Sequence, residues 1–278
     1  MRKIKVKVPL KVNLSLDLVG TKKGYHLINS IVTTINVYDT ITLKKREDKK
    51  ITLTQQGVKV DCDVAQHSSY KSALEFINNF DTNGVDIFVK KKIGAGAGLG
   101  GSSADIVGTI RGLENLYGIK TNIFPLLNKL GSDTAYMYNG GWALIQGFGE
   151  KLEPINISTK LYFNLFTIDE SCSSKQAYST FDQLNISETP VSKTIKEHLK
   201  AGEIDLALAL VKNDLYKPAS LLVPEIKNAV ELLEKECVVM SGSGSTVITI
   251  HQTKQERNAV YKKYKKSFAG KIVKAESI

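Results

Sequence analysis

The chain has 278 residues, of which 42% are hydrophobic and 24% are charged. This balance is typical of a soluble protein with one large or two modest domains, and such a chain needs no disulfide bonds to build its core. The three cysteines are far apart and odd in number, which indicates a reducing compartment and gives no sign of a metal site. The N-terminus lacks the apolar core of a signal peptide, and no stretch reaches the roughly 18 apolar residues of a membrane span. These features predict a cytoplasmic protein.

Positive residues outnumber negative ones by 38 to 28, which gives a net charge of +10. Such a balance favours polyanionic partners, which include nucleic acids, anionic surfaces and phosphorylated small molecules. The densest basic run, residues 262–266, is more simply interpreted as a solvated helix face. The sequence shows neither zinc-finger spacing nor the aromatic signature of RNA-binding domains. Charge alone therefore identifies no function.

The first hundred residues are predicted to form mostly strands. Apolar residues near the N-terminus alternate with polar ones, as in a half-buried strand: Val12, Leu14, Leu16 and Leu18. The polar face of that strand is predicted to carry Lys11, Asn13 and Asp17. Further strands are predicted at residues 31–35, 40–43, 51–53 and 85–89, and a helix at 70–79.

The apolar period becomes helical from Ser102 onward, and Gly118 offers a stop for that helix. The remaining predicted elements are a helix at 124–130, strands at 140–145 and 161–168, a helix that begins at Pro224, and a strand, turn and strand over 238–250. We therefore predict an α+β protein in two lobes, with a boundary near residue 152.

A glycine-rich loop lies between a predicted strand and a predicted helix. Its candidate ligand-binding residues are Gly94, Gly96, Ala97, Gly98, Leu99, Gly100, Gly101, Ser102 and Ser103. Glycines let the backbone approach a ligand closely, and the N-terminus of the following helix attracts anions. The serine hydroxyls can bond a phosphate oxygen or a water bound to Mg²⁺. Because regular elements abut both ends, the loop is predicted to bind phosphate rather than to act as a flexible linker.

Two common nucleotide motifs fit this loop poorly. A Walker A motif needs a lysine after the glycines, and none follows here. Residues 96–101 match G-x-G-x-x-G, but a dinucleotide fold also requires a strand that ends in an acidic residue about 20 positions later. Glu114 is near that distance, yet it lies inside the predicted helix.

Three motifs in order resemble those of the galactokinase, homoserine kinase, mevalonate kinase and phosphomevalonate kinase (GHMP) superfamily. Residues 96–104 resemble its ATP-binding signature, and residues 9–14 are similar to its P-A-K-(I/V)-N-L. The third motif corresponds to residues 240–246, which include Gly242, Ser243 and Gly244. The resemblance implies the GHMP kinase fold, with a ribosomal protein S5 domain 2-like N-terminal lobe and a ferredoxin-like C-terminal lobe. It places the domains at residues 1–152 and 153–278.

Within that superfamily the chain is most similar to the 4-diphosphocytidyl-2-C-methyl-D-erythritol kinases. The motifs that carry this similarity are Gly24-Tyr25-His26, Leu130-Gly131-Ser132-Asp133, Gly147-Phe148-Gly149-Glu150, the stretch 173–178 and Asn213-Asp214-Leu215. The sequence departs from the family where Thr134-Ala135 follow Asp133, where Gly94 replaces a proline, and where Gln66-His67-Ser68 replace D-N-L. The chain is thus identified as a divergent member.

The resemblance implies a role for each candidate residue. The loop would hold ATP with Mg²⁺, Asp133 would accept or orient the proton of the attacking hydroxyl, and Lys11 beside it would keep it ionised. The substrate-binding residues would be Asn13, Tyr25, His26, Tyr178, Gly242, Ser243 and Gly244, with the two tyrosines stacked on cytosine. The implied reaction is phosphorylation to the 2-phosphate in the non-mevalonate isoprenoid pathway. The expected partners are ATP and a small alcohol carrying cytidine diphosphate, without nucleic acid or membrane, for a monomer or weak homodimer.

Other interpretations stay open at this point. The acceptor could instead be homoserine, mevalonate or a sugar, or the chain could be a non-catalytic nucleic-acid-binding homologue. Without the family pattern, Lys11 would be an ordinary solvated lysine and Asp133 an ordinary helix cap. Likewise Tyr25, Tyr178 and His26 would be core residues.

Overall fold

The computed structural model describes residues 2–58, 62–186 and 188–278. Within these residues the chain forms twelve strands and ten α-helices. The strands are β1 Lys3–Asn13, β2 Ser15–Lys22, β3 Tyr25–Lys45, β4 Ile51–Gly57, β5 Val85–Lys91, β6 Trp142–Gly147, β7 Lys151–Pro154, β8 Tyr162–Thr167, β9 Lys212–Asn213, β10 Val238–Met240, β11 Val247–His251 and β12 Lys271–Glu276. The helices are α1 Ser68–Phe80, α2 Gly101–Tyr117, α3 Phe124–Leu130, α4 Thr134–Asn139, α5 Ser174–Leu184, α6 Ser192–Ala201, α7 Ile204–Ala209, α8 Tyr216–Leu222, α9 Pro224–Leu232 and α10 Lys254–Tyr264.

The chain divides into two compact units that are interleaved along the sequence. Unit 1 consists of Met1–Leu10, Val37–Ala95 and Gly100–Asn139, and unit 2 consists of Lys11–Asn36, Gly96–Leu99 and Gly140–Ile278. Compact units and sequence domains are different divisions of a chain, so the domain boundary at residue 152 stays a prediction.

Unit 1 packs helices on a sheet. β5 pairs antiparallel with the end of β3, where Ile41 lies opposite Val89, and parallel with β4. α2 lies close to this sheet because it has glycine at the contact. A Cβ on Gly108 would lie 2.6 Å from Cγ1 of Ile41 and 2.7 Å from Cγ2 of Val8. The missing side chain therefore sets how near the helix comes to the strands.

Unit 2 contains a four-stranded antiparallel sheet with the order β10-β11-β8-β12. Phe166 of β8 and Leu215, which directly precedes α8, belong to the apolar core beneath this sheet. The first half of β3 pairs antiparallel with β2 and with β6, and β6 pairs antiparallel with β7. The predicted strand, turn and strand over residues 238–250 are confirmed as β10 and β11.

The predicted strand around Val12 is wrong in two respects. The chain leaves strand geometry at Leu14, so β1 and β2 replace one continuous strand. Its polar face is also buried, since Lys11, Asn13 and Asp17 are each at most 5% exposed. The strand's polar side chains bond other parts of the protein: Oδ2 of Asp17, for example, accepts the backbone N–H of Ser192 at the start of α6. Alternation alone does not distinguish a polar face in water from one covered by other elements.

Among the described residues, the helices include none that is both long and apolar enough to cross a membrane.

Candidate active site

The first half of the glycine-rich loop, residues 96–99, runs alongside other backbone segments of unit 2. The carbonyl of Gly96 accepts the N–H groups of Cys172 and Ser245, and that of Ala97 accepts the N–H of Thr246. Farther along, Leu99 O accepts the N–H of Lys11, and Gly98 O accepts the hydroxyl of Ser241. Four consecutive carbonyl oxygens are thus bonded to protein. This suits an anion site, because carbonyl oxygens that face a phosphate would repel it.

Two glycines allow the loop to meet the turn at residues 241–246. A Cβ on Gly98, whose φ is +73°, would lie 2.0 Å from the carbonyl oxygen of Ser241. A Cβ on Gly242 would lie 2.8 Å from the carbonyl oxygen of Gly98 and 3.3 Å from Nζ of Lys11. No other residue fits at either position without moving the backbone. The contact brings Lys11, from the N-terminal motif, and the motif at residues 240–246 to the start of the loop.

Lys11 brings a buried positive charge to this contact. Its ammonium donates to Oδ1 of Asn13, whose amide nitrogen in turn donates to the hydroxyl of Ser30 at 2.7 Å. The backbone N–H of Asn13 donates to the Ser241 hydroxyl. Asn13 therefore orients Lys11, and its predicted contact with substrate stays a prediction.

A second asparagine holds the turn at residues 241–246. The side-chain amide of Asn213 donates to the carbonyl oxygens of Met240 and Gly242, both at 2.7 Å, and its Oδ1 accepts the N–H of Leu215. All of its hydrogen-bonding atoms are directed at the backbone. The hydroxyl of Ser243, a predicted substrate contact, lies 2.7 Å from that of Ser174 at the start of α5.

The second half of the loop belongs to unit 1 and opens α2. Gly100 is the N-cap with a left-handed backbone, and its carbonyl accepts the N–H of Ala104. The first backbone N–H groups of α2, those of Gly101, Ser102 and Ser103, lie at its N-terminus, where helical N–H groups have no intrahelical partner. A helix of 17 residues directs its positive dipole end at the same point.

A buried ionic cluster connects the two ends of this loop within unit 1. Nζ of Lys91, the last residue of β5, lies 2.5 Å from Oδ2 of Asp39 and 3.0 Å from both carboxylate oxygens of Asp105 in α2. It also donates to the carbonyl oxygen of Gly101 at 3.1 Å. Asp39 accepts the backbone N–H of Lys92 through its other oxygen. The strand end and the first turn of α2 are thereby held together around one ammonium group.

Burial and the opposite charges nearby act in opposite directions on the pKa values of Lys91 and Asp105. Burial acts to lower the pKa of Lys91, but the carboxylates of Asp105 and Asp39 outweigh it and hold that pKa above its ordinary value. Burial raises the pKa of Asp105 to about 6, against the opposing pull of Lys91 and with help from the negative charge of Asp39. Asp105 is therefore the carboxyl of the cluster that takes up a proton near neutral pH.

The turn that precedes Asp133 packs against the first turns of α2 within unit 1. A Cβ on Gly131, two residues earlier, would lie 3.8 Å from Cδ1 of Ile106 and 4.0 Å from Oγ of Ser103. The hydroxyl of Thr134 bonds the carbonyl oxygens of Leu127 and Gly131, both at 2.6 Å. That hydroxyl holds the turn at the position where the family's pattern has V-P after the aspartate.

His67 occupies the departure from D-N-L that precedes α1. Its Nδ1 accepts the N–H of Ser69 as the N-cap of the helix, so the neutral ring carries its proton on Nε2. Burial, followed by the positive charge of Lys91, lowers the pKa of His67. Nε2 is buried without a hydrogen-bond partner among the described residues.

The predicted base-binding residues form two aromatic pairs in unit 2. The ring of His26 stacks on Tyr178 of α5 with centroids 5.1 Å apart and an angle of 18°, and Phe181 meets it edge-on. Nε2 of His26 lies 3.1 Å from a carboxylate oxygen of Asp182. Tyr25 instead contacts Phe148, because neighbouring residues of a strand point to opposite sides.

Two family descriptions match the chain: "GHMP kinases N terminal domain" matches residues 68–145, and "GHMP kinases C terminal" matches residues 195–270. Together they span more than half of the sequence. The chain belongs to the GHMP kinases. It is an ATP-dependent kinase of small molecules, as its motifs predicted.

Relatives of this GHMP kinase match along nearly its whole length. The 4-diphosphocytidyl-2-C-methyl-D-erythritol kinase of Clostridium tetani is 29% identical over 95% of this chain and 97% of its own. The enzyme of that name from Desulfitobacterium hafniense is 30% identical over 90% of this chain and 88% of its own. A solved 4-(cytidine 5'-diphospho)-2C-methyl-D-erythritol kinase has a TM-score of 0.80 at 23% identity and covers 98% of both chains. The predicted α+β GHMP kinase fold is confirmed.

Sequence reasoning missed the ionic cluster of this kinase, although the pattern contained a signal for it. Val85, Ile87 and Val89 alternate as the buried face of β5, and Lys91 continues that register inward. Asp39 likewise falls in the inward register of β3. A charged residue that continues a buried face requires a partner of opposite charge.

Among the described residues, no group of three or more histidine, cysteine, aspartate or glutamate side chains is arranged to hold a metal ion.

Proposed function

We propose that this GHMP kinase transfers the γ-phosphoryl group of ATP to the 2-hydroxyl of 4-diphosphocytidyl-2-C-methyl-D-erythritol. Relatives that carry this name align over nearly the whole chain. The observation that carries the proposal is the stacking of the His26 ring on the Tyr178 ring. His26 belongs to the Gly24-Tyr25-His26 motif, and Tyr178 ends the motif at residues 173–178. Flat aromatic rings at the surface suit a nucleobase, whereas homoserine and mevalonate have no ring to stack.

The triphosphate of ATP is proposed to bind at the glycine-rich loop. The carbonyl oxygens of residues 96–99 are bonded to protein, and the N-terminus of α2 presents N–H groups and a positive dipole end. The ammonium of Lys11 adds a charge held by Asn13. Phosphoryl transfer depends mainly on such positioning and charge compensation, because the transition state makes few covalent demands.

Asp133 is proposed to accept or orient the proton of the attacking hydroxyl. Its loop lies against Ser103 and Ile106 of α2, the helix whose N-terminus is proposed to hold the phosphates. A carboxylate at that point can hold the hydroxyl in line with the γ-phosphorus. Lys11 is proposed to compensate the negative charge that builds up during transfer.

We further infer that Mg²⁺ accompanies the nucleotide. Unit 1 has oxygen donors of the kind that this ion takes: the carboxylate of Asp133, and the hydroxyl of Ser103 in α2, which would lie 4.0 Å from a Cβ on Gly131. In proteins Mg²⁺ takes one or two carboxylates together with phosphate oxygens and water. Held by Asp133 and Ser103, it would offset the negative charge of the phosphates. We propose a cytoplasmic monomer or weak homodimer that acts on these metabolites rather than on nucleic acid or membranes.

The test is an ATP-consumption assay with 4-diphosphocytidyl-2-C-methyl-D-erythritol, homoserine and mevalonate as acceptors. Wild-type protein should turn over the cytidylyl compound alone. Asp133→Asn should lower kcat by about 10²- to 10⁴-fold, the usual contribution of general acid–base groups, with little change in the KM for ATP. Turnover of homoserine or mevalonate instead, or an Asp133→Asn variant as fast as wild type, would contradict the proposal.

A further inference from the structure

Asp133 lies in the turn between α3, which ends at Leu130, and α4, which begins at Thr134. The hydroxyl oxygen of Thr134 lies 2.6 Å from the carbonyl oxygen of Leu127 and 2.6 Å from that of Gly131. A hydroxyl has a single proton, so the two carbonyls share it. Leu127 lies in α3, and Gly131 begins the turn. One side chain therefore ties the turn of Asp133 to the helix that precedes it.

The backbone alone holds the start of this turn weakly. The backbone N of Thr134 lies 3.4 Å from the carbonyl oxygen of Gly131, which is longer than the roughly 2.7–3.2 Å of ordinary N–H···O bonds. The Thr134 hydroxyl makes the short contact with that same carbonyl. On the other side, the carbonyl of Asp133 accepts the N–H of Met137 at 2.9 Å, which anchors Asp133 to α4. Asp133 thus lies between two fixed points, and the Thr134 hydroxyl provides the first.

The shape and burial of Thr134 fix the direction of its hydroxyl. The side chain is fully buried. A Cβ on Gly131 would lie 3.2 Å from Cγ2 of Thr134, so the methyl group packs against the turn at the glycine. A β-branched side chain has few χ1 rotamers, and the packed methyl group therefore directs the hydroxyl at the two carbonyls. Loss of the hydroxyl would remove a hydrogen bond in a place that water does not reach.

The same two positions are where this chain departs from the family's pattern. That pattern has V-P after the aspartate, and this chain has Thr134-Ala135. Proline restricts its own φ and the backbone of the residue before it, so V-P stiffens the turn through the backbone. Alanine imposes neither restriction. Threonine has nearly the shape of valine and adds the hydroxyl, so the first change offers a side-chain constraint where the second removes a backbone constraint.

We propose that Thr134 is a positioning residue for Asp133, and that its hydroxyl fixes the turn that the family's pattern fixes with proline. This inference rests on the proposed function, which gives Asp133 its role at the attacking hydroxyl. Thr134 acts through the direction of the Asp133 carboxylate and does not itself touch the reacting atoms. A displacement of about 1 Å can slow a reaction about 10²-fold, so a looser turn should lower kcat rather than weaken binding.

Steady-state kinetics with ATP and the cytidylyl acceptor test this role. Thr134→Val removes the hydroxyl and keeps the shape, so kcat should fall by about 10- to 100-fold while the KM values for ATP and acceptor change by less than about threefold. Thr134→Ser keeps the hydroxyl and should retain kcat within about threefold of wild type. Thr134→Val combined with Ala135→Pro reproduces the family's pattern and should recover kcat to within about threefold of wild type.

Thr109→Val is the matched control. Thr109 of α2 is also fully buried, and its hydroxyl donates to a backbone carbonyl, that of Asp105, at 2.8 Å. Its valine variant should keep kcat and both KM values within about twofold of wild type, whatever its effect on Tm. If Thr134→Val does not fold, Thr134→Ala carries the same test, because it also removes the hydroxyl and adds no methyl group beside the carbonyls.

The outcomes separate this inference from the proposed function. Active wild-type protein with a slow Asp133→Asn variant, paired with an unchanged kcat for Thr134→Val, overturns the role of Thr134 alone. The same holds if Thr134→Ser is as slow as Thr134→Val, if Ala135→Pro fails to recover kcat, or if Thr109→Val loses kcat equally. Wild-type protein that does not phosphorylate the cytidylyl acceptor, or an Asp133→Asn variant as fast as wild type, overturns the proposed function and this inference with it.

Discussion

Lys91 is an ammonium group whose side chain is only 1% exposed, with two buried carboxylates in contact. Burial of an ion costs several kcal/mol, which close opposite charges and hydrogen bonds offset only when the geometry is good. When all three groups are ionised the cluster carries one positive and two negative charges. Burial, with a further contribution from the negative charge of Asp39, raises the pKa of Asp105 to about 6 against the opposing effect of Lys91.

This cluster predicts that Asp105 makes stability depend on pH. The pKa of Asp105 is raised from 3.8 to about 6 in the folded protein, so the folded state keeps a proton that the unfolded state has lost. Stability from this group is therefore fully present below about pH 4 and is lost as pH rises through about 6. The loss amounts to roughly 3 kcal/mol in total, at about 1.4 kcal/mol per pH unit.

Urea unfolding of wild type and of Asp105→Asn between pH 4 and 7.5 measures this effect. The free energy of unfolding of wild type, minus that of the variant, should fall across the range by the amount given above. Asp86→Asn is the control, because hydrogen bonding to Arg46 lowers the pKa of Asp86, the opposite direction from Asp105. Its difference from wild type should stay constant above about pH 5. A constant difference for Asp105→Asn would contradict the assignment.

The sequence predicted some residues of the site and missed others. Gly98 was predicted to let the loop approach a ligand, and Gly242 was named by the family resemblance; the structure shows that the two glycines also let the loop and the turn at residues 241–246 approach each other. Lys91 and Asp105 were missed, since no short motif joins residues 14 positions apart. Phe148 was noted only as a variable position of a motif, because exposure and ring contact are properties of the folded chain.

At the scale of elements, α2 and the loop before it use two different properties of glycine. One is its tolerance of a left-handed backbone, and the other is its lack of a Cβ. Gly98 and Gly118 have nearly the same backbone, with φ of +73° and +70°. A Cβ on Gly118, at the end of α2, would meet nothing within 4 Å, whereas one on Gly98 would collide with the carbonyl oxygen of Ser241. The two positions therefore separate backbone strain from close contact.

Alanine at each position should reveal this difference. Gly118→Ala should cost about 1–2 kcal/mol of unfolding free energy, the ordinary cost of left-handed geometry for a residue with a Cβ. Gly98→Ala should cost at least about 1–3 kcal/mol more, because the loop must shift away from the turn at residues 241–246. It should also raise the KM for ATP by about tenfold or more. Urea unfolding and steady-state kinetics of both variants measure this, and equal costs would contradict the close contact.

Helices were predicted better than strands, for a physical reason. The bounds of α3 and the start of α9 at Pro224 agree with the structure, because a helix carries its period and its end signals locally. The strands predicted at 31–35 and 40–43 are instead parts of β3, which has 21 residues. Side chains from Asn29 to Ile35 are buried on both faces, which hides the alternation that marks a strand in that half of β3.

At the scale of the whole molecule, the fold and the kinase activity were predicted from three motifs in order, while the interleaving of the two compact units was not. A motif indicates the local backbone conformation and the kind of ligand that it binds. Compactness depends on pairing between distant segments, such as β12 with β8. No motif and no periodicity in the sequence therefore predicts that the units are interleaved.

The unit borders predict how the protein unfolds. One border separates Leu10 from Lys11 inside β1, and another separates Asn36 from Val37 inside β3. Independent domains usually meet at exposed linkers, where one can melt without fraying the other. Here, melting of either unit would break a strand whose remaining half belongs to the other unit. We expect a single cooperative transition in calorimetry, with an enthalpy of roughly 0.7 kcal/mol per residue near 60 °C and equal calorimetric and van't Hoff values.

Two resolved transitions, or a calorimetric enthalpy about twice the van't Hoff value, would show that the units unfold separately. Saturating cytidine 5'-diphosphate sharpens the experiment, because a ligand that binds only the folded state stabilises whatever unfolds with its site. In a single cooperative transition the ligand must raise the one Tm as a whole. If the units melt separately, it would raise one transition and leave the other in place. Strands shared between units make the first result the expected one, since β3 carries Tyr25 and His26 at one end and pairs with β5 at the other.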